Sequence, residues 1–297
     1  MDPYPTNNSC GMEDNLYFRN TMKLAYSTYA TQKIDVYDAL SRIRSIGYDA
    51  VEIAVADPWP TAPDKLDAND RSALRAHIMD LGFPPPVLFG PVATCARGDD
   101  RPKALSRFTD NCRLAQALNF NDAPAVVTST LSGPLFDWES DRERILDNLC
   151  ELADIGAKHD TILAIEPHVG GVFDSPERGA WVVEQARHPH LWLNYDQSHF
   201  HAQGMELQHC VDLCLPYAAH IHVKDGYIEN DKVQFLLPGE GDLELAGYLR
   251  SLQSAGCHLP VTAEVSAMIW NLPDYNPWKT AEICYRSLDS ARKSLSD

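Results

Sequence analysis

Thr161–Glu166 reads TILAIE, Leu191–Asp196 reads LWLNYD, Ala219–Val223 reads AHIHV and Pro260–Val265 reads PVTAEV. Each is a short, mostly apolar run of the length of a buried strand, and each places one ligand-type side chain near its end. Those side chains are Glu166, Asp196, His222 and Glu264. The intervals between the runs carry helix signals. Ser175 and Pro176 form an N-cap with proline at the first helical position, opening a helix to about Arg187. Glu206 to Leu215 fills the next interval. Asp242 reads as the cap of a helix carrying Leu245, Leu249 and Leu252 and ended by Gly256. Asn276 and Pro277 open a last helix with Cys284, Leu288, Ala291 and Leu295 at helical spacing.

The same alternation extends towards the N-terminus. Lys23–Ser27, Ala50–Ala54, a strand within Pro84–Val92, and Ala125–Thr128 read as strands. The expected helices follow Asp35 as far as Gly47, then Asn69–Leu81, Lys103–Leu118 and Asp141–His159, the last with Ile145, Leu149 and Leu152 on one face. Eight strand–helix units in strict alternation predict a parallel sheet covered on both faces. About 250 residues is typical of a (β/α)8 barrel, so the fold expected is α/β, a single (β/α)8 TIM barrel over residues 22–297. The rival is a doubly wound open sheet, but no Gly-x-Gly-x-x-Gly follows the first strand. Longer loops at Asp57–Asp67, Ala93–Arg101, Ser129–Asp137, Tyr227–Asp242 and Ala267–Pro277 would crowd one rim of a barrel.

Composition narrows the function classes. The chain has 297 residues and a net charge of −17, with 42 acidic against 25 basic side chains. That field repels nucleic-acid backbones and anionic membrane faces, so neither is an expected partner. No run is long and apolar enough to span a bilayer. The eight cysteines form no Cys-x-x-Cys pair and read as reduced, mostly buried thiols. Residues 1–21 are polar, lack the apolar core of a signal peptide and read as an N-terminal extension open to disorder. A cytoplasmic location is expected.

The four strand-end residues are 30, 26 and 42 positions apart, close to the roughly 30 residues that one barrel unit averages. Four consecutive strands therefore present one ligand each to the same rim. Three carboxylates and one imidazole suit one divalent ion, Mn2+, Mg2+ or Co2+, better than a structural zinc site does. Lys224, two residues beyond His222, faces the same side and could hold a hydroxyl or enolate oxygen. His168, two after Glu166, could face the mouth. His220 points inward one layer deeper and reads as a satisfied core histidine. The rim placement of Glu52, inside AVEIA, is open. PGEGD (238–242) reads as a helix entry, not a phosphate loop, because it lacks the Walker lysine and serine. Trp59, Trp138 and Trp270 fall in strand-following loops, where they either stack on a sugar or pack the rim.

The order Glu166, Asp196-x-x-His199, His222-x-Lys224-Asp225, PGEGD, Glu264 resembles the xylose isomerase-like TIM barrel superfamily, closest to its sugar isomerase/epimerase branch of ketose 3-epimerases and inosose dehydratases. The resemblance covers the chain from about Met22. It implies that Glu166, Asp196, His222 and Glu264 bind one divalent metal, commonly manganese. It implies that Glu166 and Glu264 are also the catalytic acid and base, and that His199 contacts substrate oxygens. The arginine that ketose epimerases carry after the seventh-strand histidine is absent, and Lys224 stands nearby instead. The implied function is a metal-dependent isomerase or epimerase. It would abstract the proton next to a carbonyl of a keto-sugar or related polyol, through a metal-stabilised enediolate. The alternatives are a lyase or dehydratase on an inosose or 3-keto-glycoside, which can require a partner subunit, and a non-catalytic sugar-binding barrel. Homo-oligomerisation stays open. An abasic-site endonuclease of the same superfamily would need histidines after the second and third strands, and neither strand end carries one.

Overall fold

A computed structural model describes residues 22–296; the expected extension 1–21 lies outside the described residues. Eight parallel strands close into a barrel. They are β1 (Leu24–Ser27), β2 (Ala50–Ala54), β3 (Val87–Phe89), β4 (Ala125–Thr130), β5 (Thr161–Glu166), β6 (Leu191–Asp196), β7 (Ala218–Val223) and, after an inserted hairpin, β10 (Val261–Ala263). The hairpin strands are β8 (Asp225–Glu229) and β9 (Lys232–Leu236), which pair antiparallel. Around the barrel the order is β1-β10-β7-β6-β5-β4-β3-β2. The expected (β/α)8 architecture is thus the observed one.

The helices form where the capping chemistry lies. Asp35 accepts the Tyr37 and Asp38 N–H groups at the start of Val36–Ile46, and Ser175 accepts the Arg178 N–H at the start of Pro176–Ala186. Trp138–Lys158 buries Ile145, Leu149 and Leu152 against the sheet. It approaches so closely at Gly156 that a Cβ there would fall on the Thr161 carbonyl oxygen. The apolar core fills the layer between helices and strands. The barrel interior is polar by contrast, with Ser27, Glu52, Thr128, Asn194, His220, His222 and Thr262 all buried. The seven described cysteines are free thiols, five of them buried. Among the described residues no helix is long and apolar enough to cross a membrane.

Three local expectations are corrected. Tyr227–Asp242 is not an irregular loop. It contains the β8–β9 hairpin, turned by Asn230 and Asp231 with φ of +50° and +58°. Asp242 does not cap the following helix, which is Leu245–Ser254. Glu244 does, through the Gly247 N–H, while Asp242 pairs with His201 at 2.7 Å. Trp138 is not a loop residue but the first residue of its helix, buried and stacked on Phe173.

Asp225 anchors the insertion. Its buried carboxylate accepts the N–H groups of Gly226 (2.9 Å), Gly241 (3.0 Å) and Leu243 (3.4 Å), and a Cβ on Gly241 would collide with it. Asp225→Ala leaves these donors unpaired. It is expected to cost about 1–3 kcal/mol, measured as a lower midpoint in urea unfolding.

Candidate metal and sugar site

Glu264, His222, Asp196 and Glu166 lie at the C-terminal ends of β10, β7, β6 and β5, four neighbouring strands. The register staggers them along one rim: Asp196 pairs with His222 across β6–β7, His222 pairs with Thr262 across β7–β10, two residues before Glu264, and Ile165 pairs with Leu193 across β5–β6, so that Glu166 falls two residues short of Asp196. One donor atom from each of the four lies within 4.8 Å of all the others, and all four residues are buried. The two glutamates are the outer members of this arc. His222 Nδ1 stands between them, 3.5 Å from Glu166 Oε1 and 3.8 Å from Glu264 Oε2.

The donor set fits a cation. Glu166 Oε1 is buried with no hydrogen-bond partner, a costly state for a carboxylate oxygen. A cation already occupies part of the cluster, because the buried Lys224 ammonium donates to both Asp196 Oδ2 and Glu264 Oε2. Three carboxylates and one imidazole supply the hard oxygen and nitrogen donors that a divalent ion takes.

The electrostatics follow from that crowding. Burial pushes the Glu166 carboxyl up, but His199, His222 and Lys224 outweigh it and hold it well below its ordinary value. Asp196 is also lowered: burial opposes this, and the Lys224 and His199 charges prevail. Burial lowers Lys224, yet the surrounding carboxylates keep its ammonium above the usual lysine range. Burial would likewise depress His222, but Glu52, with Glu166 and Glu264, drives it well upwards. His168 is lowered, by burial first and by the neighbouring His199 second.

The other expected site residues converge on the same place. His199 lies in the one-turn helix Gln197–His201 and is fully buried. Its Nε2 is 3.5 Å from Glu166 Oε1 and 3.6 Å from Asp196 Oδ2, and neither ring nitrogen has a partner. His168 packs on it with ring centroids 3.9 Å apart and lines the cavity above. Lys224 sits inside the donor cluster instead of beside it. His220 does lie deeper, but it is not satisfied: its Nε2 is 3.2 Å from Glu52 Oε2 without hydrogen-bond alignment.

Two contributors were not placed by sequence reasoning. Glu52 points into the barrel beneath the cluster, where its carboxylate meets Ser27 Oγ (2.6 Å), Thr128 Oγ1 (3.2 Å) and His222 Nε2 (2.9 Å). A charged side chain inside an otherwise apolar strand was the available signal. Phe235 comes from the hairpin, edge-on to His199 at 5.3 Å, with the Lys224 ammonium 5.1 Å from its ring centre. Above the cluster opens a cavity of about 1140 Å³, floored by Glu166, His168, Lys224 and Glu264. Tyr29, Trp59 and Phe89 line one side of it, and Trp270 packs edge-on against Tyr29 and Trp59.

Residues 40–283 match the family model described as xylose isomerase-like TIM barrel. No curated protein matches the chain by sequence. Several solved structures share the fold. A 3-keto-D-glucoside 4-epimerase from E. coli is 15% identical, with 91% of this chain and 99% of that one covered and a TM-score of 0.71. A D-psicose 3-epimerase from Clostridium cellulolyticum H10 is 18% identical over 92% and 99%, with a TM-score of 0.72. An IolI protein with a bound zinc atom is 16% identical over 92% and 99%, with a TM-score of 0.71. The chain spans less than half, 44%, of a xylose isomerase-like TIM barrel/4-hydroxyphenylpyruvate dioxygenase fusion protein, at 20% identity over 93% of this chain and a TM-score of 0.72.

Proposed function

We propose that this chain, which belongs to the xylose isomerase-like TIM barrel family, is a divalent-metal-dependent isomerase or epimerase of a keto-sugar or related polyol. The observation that carries this reading is the four-donor cluster with an unpartnered buried Glu166 oxygen, set at the floor of an open cavity. Glu166, Asp196, His222 and Glu264 would hold the ion, and manganese suits their donor set. Bound there, a divalent ion would acidify the hydrogen next to a substrate carbonyl by polarising the oxygen.

The chain's own residues do the rest. Glu264 and Glu166, at opposite ends of the arc, serve as base and acid towards the two faces of the reacting carbon. Lys224 donates to both Asp196 and Glu264, so its ammonium can shift towards a substrate oxygen when one arrives. His199 and His168 offer ring nitrogens to sugar hydroxyls. The buried charges support a substrate that is not anionic: four buried carboxylates, Glu52 among them, face Lys224 and one divalent ion, which leaves no net positive charge to hold an anionic group.

The reading is tested by NMR of the manganese-loaded protein in deuterated water with ketoses, inososes and 3-keto-glycosides. The expected result is deuterium beside the carbonyl of an unchanged carbon skeleton, lost on adding a chelator. Release of water or of an aglycone would instead assign a lyase. No turnover with metal bound would leave a binding protein.

A further inference from the structure

A second group of ligand-type side chains lies one layer below the four-donor cluster. Glu52 on β2, with His220 and His222 on β7, each present a donor atom within 4.8 Å of the others, and all three are buried. We infer that these three residues form a second, deeper cation site inside the barrel, for a zinc-like divalent ion, with His222 shared between the two sites through its opposite ring nitrogens. This deep site lies outside the proposed reaction and does not depend on it.

Four observations carry it. First, the donors already stand at ligand spacing. Glu52 Oε2 is 2.9 Å from His222 Nε2 and 3.2 Å from His220 Nε2, and a tetrahedral ion with bonds of about 2.0–2.1 Å sets its ligand atoms about 3.3 Å apart. Second, the protein leaves this layer unsatisfied. His220 Nε2 is buried without a hydrogen-bond partner although it faces that carboxylate. Asn194 Oδ1 and Thr262 Oγ1 are also buried without partners, and their residues pair with His220 and His222 in the strand register. Orphaned buried atoms are costly, and a bound ion satisfies the one on His220. Third, the carboxylate is held in place by neighbours. Ser27 Oγ donates to Oε1 at 2.6 Å and Thr128 Oγ1 to Oε2 at 3.2 Å, the outer support that orients metal-binding carboxylates. Fourth, the charges balance. His222 turns Nδ1 towards Glu166 and Glu264 and Nε2 towards Glu52. Until the deep ion arrives, Nε2 keeps its proton towards Glu52; the ion displaces that proton to solvent. With both sites filled, the His222 imidazolate and the Glu52 carboxylate together offset the two charges of the deep ion. Two imidazoles and one carboxylate suit zinc, whereas the oxygen-rich set above suits manganese.

The test counts the zinc that the full-length protein, first stripped with a chelator, retains after zinc loading and gel filtration. Wild type is expected to keep two ions per chain. His220→Leu, which removes one deep ligand together with its orphaned nitrogen, should keep one. A Glu166→Gln/Glu264→Gln double variant, altered only in the upper cluster, should also keep one. Anomalous scattering from zinc-loaded wild-type crystals should place the second ion within about 2.3 Å of the Nε2 atoms of His220 and His222, a readout that stands even if His220→Leu does not fold. Two ions in folded His220→Leu, or no anomalous peak between Glu52, His220 and His222, overturns the deep site. A single wild-type ion that the double variant loses and His220→Leu keeps overturns the deep site and leaves the upper one standing. A single ion with the opposite pattern keeps the deep site and removes the upper one.

Discussion

Replacing Glu264 with Gln is expected to lower interconversion of the keto-sugar by at least about 10³-fold, with the fold intact. General acid–base catalysis by one positioned side chain contributes about 10²–10⁴-fold, and this carboxylate is also placed among the metal donors. Glutamine preserves shape and leaves a carbonyl oxygen to accept from the Lys224 ammonium, which Glu264 Oε2 does now. It cannot take a proton from carbon, and it removes one of the three negative charges that face the cation. Glu264 follows β10 at the rim and is 8% exposed, so an isosteric change disturbs little packing. Thermal unfolding of the variant should therefore stay close to wild type while product formation, followed by NMR, disappears. A variant within about tenfold of wild-type turnover would remove Glu264 from the chemistry.

The four donor positions were legible because a parallel barrel converts strand ends into neighbours. Glu166, Asp196, His222 and Glu264 each close or follow an apolar run, and parallel pairing brings such ends to one rim, offset by no more than two residues between neighbouring strands. What escaped the reading depended on geometry that periodicity does not encode. Asp242 and Glu244 are both acids just ahead of the same helix, and only the backbone path decides that Glu244 reaches its N–H groups. The hairpin carried a weak signal, two residues suited to positive φ (Asn230 and Asp231) between alternating runs. Without it the place of Phe235 against His199 could not be seen. Lys224 was expected on the correct face. Its insertion between two carboxylates follows from the closeness of β6, β7 and β10, which is tertiary.

Glu52→Ala is expected to weaken divalent-ion binding by about 10–100-fold and to destabilise the protein by about 3–5 kcal/mol. The first effect follows from orientation. His222 Nε2 faces Glu52 Oε2 at 2.9 Å, so that Nδ1 is turned towards Glu166 and Glu264. A carboxylate behind a metal-ligating histidine fixes its ring and raises its basicity, and losing such a partner costs affinity on that scale. The second effect follows from burial, because removing one member of a fully buried charged pair leaves the other uncompensated. The pH dependence has a definite sign. The Glu52 carboxyl is lowered from 4.5: burial opposes this, and the His222 and His220 interactions prevail. Its contribution is therefore present above about pH 4.5 and fades as pH falls towards the folded value. His222 is raised above 6.5, so its share is present below that value and is lost as pH rises through the folded one. The gap in metal-free stability between wild type and Glu52→Ala should thus be widest between these limits and narrow on acidification, read from urea midpoints against pH. A metal taken up at Nδ1 would displace the proton carried there by the imidazolium that Glu52 favours, while the Nε2 proton stays towards Glu52. Calorimetry in buffers of different ionisation enthalpy should therefore detect proton release in wild type and less of it in Glu52→Ala. Glu52→Gln, which keeps an acceptor for Ser27 and His222 without the charge, should recover much of the metal affinity. Equal affinity in all three proteins would reduce Glu52 to a packing role.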